Sequence, residues 1–173
     1  MGAGTMGSQI AAMLANVGIP SVLLDVTRET AQSQWERALK LSPPPLYVPQ
    51  GADLVTIGSI EDDLGELADA DWIIEAVVEK LEIKKAIHAK IAEHARGDAI
   101  VTTNTSGIPI AAISEVMSEA RRLRFFGSHF FNPPRVMRLL EMVPGPQTDR
   151  ALFRAFAEHA GNLLGKDVVF CKD

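Results

Sequence analysis

The chain opens on Gly2-Ala3-Gly4-Thr5-Met6-Gly7, a G-x-G-x-x-G turn, and runs at once into an Ala-rich stretch from Met6 to Val17 that reads as a helix. Few sequence features constrain a fold as tightly. In such a turn the first glycine makes the tight bend and the second lets backbone approach a pyrophosphate. The third permits close packing of helix on strand. The exposed amides and the dipole at the helix N-terminus favour the pyrophosphate's negative charge. Asp25 lies 18 residues beyond Gly7, at the end of the run Ser21-Val22-Leu23-Leu24. A carboxylate there accepts hydrogen bonds from the adenosine ribose hydroxyls and repels a 2′-phosphate, which favours NAD over NADP. Arg28, just past the acid, reads as a helix-surface charge. Taken singly, the glycines describe an ordinary loop and Asp25 a helix cap; turn, helix, strand and acid in that order describe a dinucleotide site.

The rest of the chain alternates short β-branched runs with longer helical patterns, the signature of βαβ units and a parallel sheet. After the strand Ser21 to Asp25 comes a helix over Arg28 to Leu41, ended by Pro43, Pro44 and Pro45, with an irregular connection to Val55. Asp71 to Val78 is a nearly continuous apolar strand, as expected when both faces are covered. A helix over Leu81 to Arg96 is predicted to stop at Gly97. Strand Ala99 to Thr103, a short helix over Ile110 to Met117, and extended segments at Arg124 to Phe131 and Arg138 to Val143 follow. A helix over Thr148 to Leu164 and a strand Asp167 to Cys171 close the chain. The glycine turn should itself follow an apolar strand, which lies mid-sheet beside the switch point where a dinucleotide binds. The sequence starts at Met1, so the expectation is a single domain over residues 1–173, truncated at its N-terminus. Its fold is a Rossmann-type, doubly wound, mostly parallel sheet lacking its first strand.

Composition narrows the function classes. At 47% hydrophobic and 23% charged, the chain is ordinary for a globular protein. A net charge of −5 argues against nucleic acid, because no broad surface could neutralise a phosphate backbone. The basic cluster Arg121, Arg122 and Arg124 reads as a solvated helix end. No secretory h-region and no apolar run of membrane-spanning length is present, so no membrane is expected and the cytoplasm fits. A lone cysteine, Cys171, leaves no internal disulfide and no cysteine-rich metal site; in its apolar run it reads as a buried thiol. His88, His94 and His159 fall in helical patterns and read as surface or boundary residues, whereas Trp35, Trp72 and the phenylalanines read as core.

Four clusters fall at predicted strand ends, where an open α/β sheet binds ligands. They are Glu75-Ala76-Val77-Val78-Glu79 with Lys84, Asn104-Thr105-Ser106, Ser128-His129-Phe130-Phe131-Asn132-Pro133, and Leu139-Leu140-Glu141. With these residues the chain closely resembles the 3-hydroxyacyl-CoA dehydrogenase family, from the glycine turn to Gly165-Lys166-Asp167 and Cys171-Lys172-Asp173. The His-Phe-Phe-Asn-Pro segment, with a glutamate 12 residues after the histidine, is far more specific than the glycine turn. The proline-rich loop and the wording around Trp72 and Phe131 resemble the larger bacterial members, in which an enoyl-CoA hydratase module can share the polypeptide.

The resemblance implies NAD-dependent oxidation of L-3-hydroxyacyl-CoA to 3-ketoacyl-CoA in fatty-acid β-oxidation. His129 would be the general base on the 3-hydroxyl, with Glu141 orienting its ring and stabilising the imidazolium. Ser106 would hydrogen-bond the reacting oxygen or lie close to the cofactor. Val77, Val78, Glu79, Lys84, Asn104 and Asn132 would line the nicotinamide end, as Gly2, Ala3, Gly4, Thr5, Met6, Gly7 and Asp25 hold the adenosine end. It also implies a helical domain beyond Asp173 that carries acyl-CoA contacts and homo-oligomer contacts. The 173 residues alone are therefore expected to bind NAD weakly and turn over little. Each residue has a plainer reading: a core histidine, a surface acid at Glu141, a helix cap at Ser106, a surface pair of Glu79 and Lys84. Two other functions stand beside this one. A β-hydroxyacid dehydrogenase shares a similar glycine turn but uses a lysine in a different context and lacks the His-Phe-Phe-Asn-Pro segment. A non-enzymatic NAD-binding relative is opposed by the intact His129 and Glu141.

Overall fold

Helix α1 (Thr5–Asn16) starts where the glycine turn ends, in a computed structural model that describes all residues 1–173. Its small and unbranched residues suit a helix packed on several sides, and Gly7 to Ala15 are all buried. Strand β1 (Ser21–Asp25), helix α2 (Arg28–Leu39) and strand β2 (Val55–Ser59) follow. Thr27 caps α2, its hydroxyl accepting from the Thr30 amide at 3.2 Å. Then come β3 (Trp72–Glu75), α3 (Leu81–His94), β4 (Ile100–Thr103), the short helices α4 (Ile110–Ser114) and α5 (Glu119–Arg122), and β5 (Phe125–Phe130). Strand β6 (Leu139–Pro144), α6 (Arg150–Leu164) and β7 (Asp167–Phe170) complete the chain. Asp149 caps α6 by accepting from the Ala151 and Leu152 amides, and Gly165 ends it in the left-handed region at φ 63°.

The strands form a five-stranded sheet in the order β3-β4-β5-β6-β7 and a separate parallel pair, β1-β2. All pairings are parallel except β5 with β6. Helices cover both faces. Neighbouring residues Phe125 and Phe126 point to opposite sides, one packing with Ile91, Val101 and Ile113, the other with Met13, Met142 and Phe153. No helix is long and apolar enough to cross a membrane.

Between β1 and β3 the sheet is open. Only Met1 and Gly2 bridge it: the Met1 amine donates to the Ile74 carbonyl at 2.9 Å, Ala76 to Met1, and Gly2 to Leu24 at 2.7 Å. Behind them runs a cavity of about 750 Å³, lined by residues that include Ile10, Leu14, Val22, Leu24, Ile73 and Ile74. This slot has the place that a central strand takes in a doubly wound sheet.

Several expectations are corrected. Val55–Ser59 is a strand where the sequence reading stopped at an irregular connection. Gly58 broke the pattern, yet a side chain there would collide with Leu24, its Cβ 2.6 Å from Leu24 Cδ2. Helix α3 ends at His94, before Gly97, because Ala95 turns to an extended conformation at ψ 139°. The Arg121 guanidinium donates to Ala95, Arg96 and Ala99 at 3.0–3.2 Å and is 7% exposed, so it is no solvated charge. Cys171 is half-buried rather than buried, and Phe170 is exposed. Both follow from β7 being the last strand of its sheet.

Candidate active site

Steric contacts fix the shape of the glycine turn. Gly2 has φ +91°, and a Cβ on it would lie 2.7 Å from the Ala76 carbonyl oxygen. A Cβ on Gly7 would lie 1.8 Å from the Gly2 carbonyl oxygen, so the third glycine is demanded by the turn itself. Gly4 is different: a Cβ there meets nothing within 4 Å. Space is open where a pyrophosphate would approach, and the start of α1 has no side-chain cap and no acidic residue to compete for its amides. Asp25 reaches back to the turn, its carboxylate accepting from the Ala3 and Val26 amides, each at 2.7 Å. Each oxygen keeps a second lone pair for a ribose hydroxyl. Arg28 is engaged by Asp63 at 2.8 Å and by the Ile57 carbonyl, so the nearest cation is not free for a 2′-phosphate.

The second group forms at the end of β5. Residues His129 and Glu141 face each other directly across the antiparallel ladder, and Nδ1 of the imidazole sits 2.8 Å from Oε2 of the carboxylate. A carboxylate can only accept, so Nδ1 donates and Nε2 keeps its lone pair. Both side chains retain some exposure, 18% and 33%, and the Phe131 ring packs 4.5 Å from the imidazole centroid. The imidazole is thus held in one orientation by Glu141 while its side chain stays partly exposed.

A buried ionic network connects the ends of β3 and β4. The Glu75 carboxylate is fully buried and accepts from Lys84 Nζ and the Val77 amide at 2.8 Å and from the Thr103 hydroxyl at 2.7 Å. His88 Nε2 stands 3.4 Å away. Burial pushes the Glu75 carboxyl up, but His88 and Lys84 outweigh it and bring the pKa down to about 2. Lys84 also reaches Glu79 at 3.3 Å. Glu79 in turn accepts from the Thr105 hydroxyl at 2.5 Å and from the Ser106 and Gly107 amides at 3.0 Å. Burial raises the Glu79 carboxyl as well, and here the Thr105 hydroxyl, the loop amides and Lys84 outweigh it and lower the pKa. His88 is 1% exposed, against the sequence reading of a surface or boundary histidine. Its position on α3 faces the sheet, and burial lowers its pKa. Lys84, also 1% exposed, meets Glu79 as a buried rather than a surface partner.

Ser106 is exposed at the end of β4 and does not cap α4. That task falls to Asp173, whose carboxylate accepts from the Ile110 and Ala111 amides at 2.5 and 2.8 Å. Asn104 ties β4 to β5, its Oδ1 accepting from the Phe130 amide at 2.9 Å. Asn132 accepts at 3.0 Å from Gln9, which also donates to Thr5 in the first turn of α1. Gln9 thus links the glycine turn to the histidine segment, and sequence reasoning missed it. The available signal was a long polar side chain, 4% exposed, just ahead of the apolar run Ile10 to Ala15. Val77 is half-buried and Val78 exposed beside this group, so the predicted residues collect along one rim of the sheet.

Comparison with known proteins decides what this rim belongs to. The family model of the 3-hydroxyacyl-CoA dehydrogenase NAD-binding domain matches residues 1–173. The chain belongs to this family. A probable 3-hydroxyacyl-CoA dehydrogenase of Deinococcus radiodurans is 43% identical over 180 residues, all of this chain aligning with 52% of that protein. One of Bacillus subtilis is 40% identical over 194 residues, and all of this chain aligns with 25% of it. The crystal structure of 3-hydroxybutyryl-CoA dehydrogenase from Escherichia coli K12 superposes with a TM-score of 0.84 at 32% identity, covering 99% of this chain and 37% of that one. The chain spans about half the length of the first relative and a quarter of the second. As an NAD-binding domain of the 3-hydroxyacyl-CoA dehydrogenases, it takes NAD as its cofactor. The open backbone at Gly4, the uncapped start of α1 and the Asp25 carboxylate fit that dinucleotide.

Proposed function

We propose that this domain serves an NAD-dependent L-3-hydroxyacyl-CoA dehydrogenase that oxidises the 3-hydroxyl of an acyl-CoA to a ketone in fatty-acid β-oxidation. The observation that carries this reading is the His129–Glu141 pair, 2.8 Å apart, on the rim that also bears the glycine turn. His129 Nε2 removes the hydroxyl proton, and Glu141 stabilises the imidazolium that results. Bound NAD supplies the acceptor for the hydride from C3. Ser106 hydrogen-bonds the reacting oxygen from the end of the neighbouring parallel strand. Val77, Val78, Glu79, Asn104 and Asn132 shape the nicotinamide end, while residues 2–7 and Asp25 hold the adenosine end. Lys84 belongs to the same site but acts through Glu79, because it is buried.

The test is His129→Gln in the intact protein, followed by NADH formation from a 3-hydroxyacyl-CoA and by NAD affinity. Loss of general-base assistance lowers turnover by about 10²- to 10⁴-fold, with NAD affinity unchanged. An unchanged rate removes His129 from the mechanism. Faster turnover of free hydroxyacids than of their CoA esters would replace the substrate class.

A further inference from the structure

We propose that Glu75 is a positioning residue for the Ser106 loop, acting through Lys84 and Glu79. This deepens the proposed function and rests on it for the meaning of Ser106. Ionised side chains buried as completely as Glu75 and Lys84, at 0% and 1% exposure, contribute little net stability compared with apolar residues of similar volume. Their presence needs a reason other than holding the core together. The Lys84 ammonium is buried between two carboxylates, Glu75 at 2.8 Å and Glu79 at 3.3 Å.

Those two carboxylates differ. Glu75 ends β3, is held on both oxygens by Lys84, the Val77 amide and the Thr103 hydroxyl, and cannot move without breaking strand-end contacts. Glu79 lies in the connection between β3 and α3, is partly exposed, and has its second oxygen held by Lys84. Its first oxygen collects the Thr105 hydroxyl and the Ser106 and Gly107 amides. The order of connection is thus fixed carboxylate, ammonium, partly exposed carboxylate, catalytic loop. Glu75 anchors the one end that the sheet can hold rigid, and the orientation of Ser106 is set at the other.

The experiment compares Glu79→Gln with the double variant Glu75→Gln, Lys84→Met, which removes both buried charges together and leaves neither stranded. Hydrogen–deuterium exchange resolved at single amides reads the loop directly and needs no substrate. Weakening one charge-assisted hydrogen bond raises exchange at Ser106 and Gly107 by about tenfold or more in both variants, while Val101 and Thr102 in β4 keep their protection. Turnover of 3-hydroxyacyl-CoA falls in kcat with KM little changed. Unaltered exchange at Ser106 and Gly107 in the double variant overturns the proposal. So does an equal rise at the loop and in β4, which would mean general loosening. Because exchange is measured without substrate, a failure of the relay is distinguishable from a wrong assignment of the reaction.

Discussion

At the scale of single residues, the three glycines of the opening turn separate folding from binding. Gly7 cannot carry a side chain, since its Cβ would stand 1.8 Å from the Gly2 carbonyl oxygen. Gly4 can, because nothing lies within 4 Å. Gly4→Ala is therefore expected to leave thermal stability within about 1 kcal/mol of the parent while weakening NAD, as the methyl group takes the space of the pyrophosphate. Gly7→Ala is expected to destabilise the fold by several kcal/mol in order of magnitude. Thermal melts and NAD titration on the two variants check this, and equal NAD affinity in Gly4→Ala and the parent would be the contrary result. The sequence already pointed to this asymmetry, because the motif assigns different jobs to its glycines. It did not point to His88, whose helical spacing says nothing about whether its face meets water or the sheet.

Among elements, the antiparallel partner of β5 is the one that matters most for chemistry. The extended runs at 124–131 and 138–143 were legible from the aromatic residues of the first and the aliphatic residues of the second, and the connection between them is short enough for an antiparallel return. Helix α3 was legible too, but its end was not. A glycine in the sequence marked the stop, whereas the helix ends at His94 and Arg121, from α5, binds the carbonyls of Ala95, Arg96 and Ala99 in the connection that follows. Such long-range contacts leave no local pattern. Arg121→Met, which keeps much of the side-chain volume and removes the donors, should cost about 1–3 kcal/mol from the carbonyls left unsatisfied. Denaturant titration measures it, and a change below about 0.5 kcal/mol would show that water replaces the guanidinium. Strand β2 escaped notice for a related reason: Gly58 fits Leu24, a neighbour that only the folded chain supplies.

Across the whole molecule, the sheet is two bodies joined by few backbone contacts. The β1-β2 pair meets the five-stranded sheet through Met1, Gly2 and helix α1, with the apolar slot between them. Opening should therefore begin there. Amide exchange under mild denaturant is expected to show Leu23 and Leu24 unprotected at lower free energy than Val101 and Thr102, and equal opening energies across all four would contradict it. His129 and Glu141 lie in the five-stranded sheet, directly opposite each other in its one antiparallel ladder. That placement has a consequence for how such a chain tolerates change. Because side chains alternate between faces along a strand, an insertion or deletion of one residue inside β5 or β6 turns the imidazole or the carboxylate to the wrong side. The connection from Phe131 to Arg138, outside the ladder, can lengthen or shorten without altering the pairing. Variation in length is thus admissible only between the two strands, and the proton-transfer geometry behaves as a switch with two settings, in register or lost.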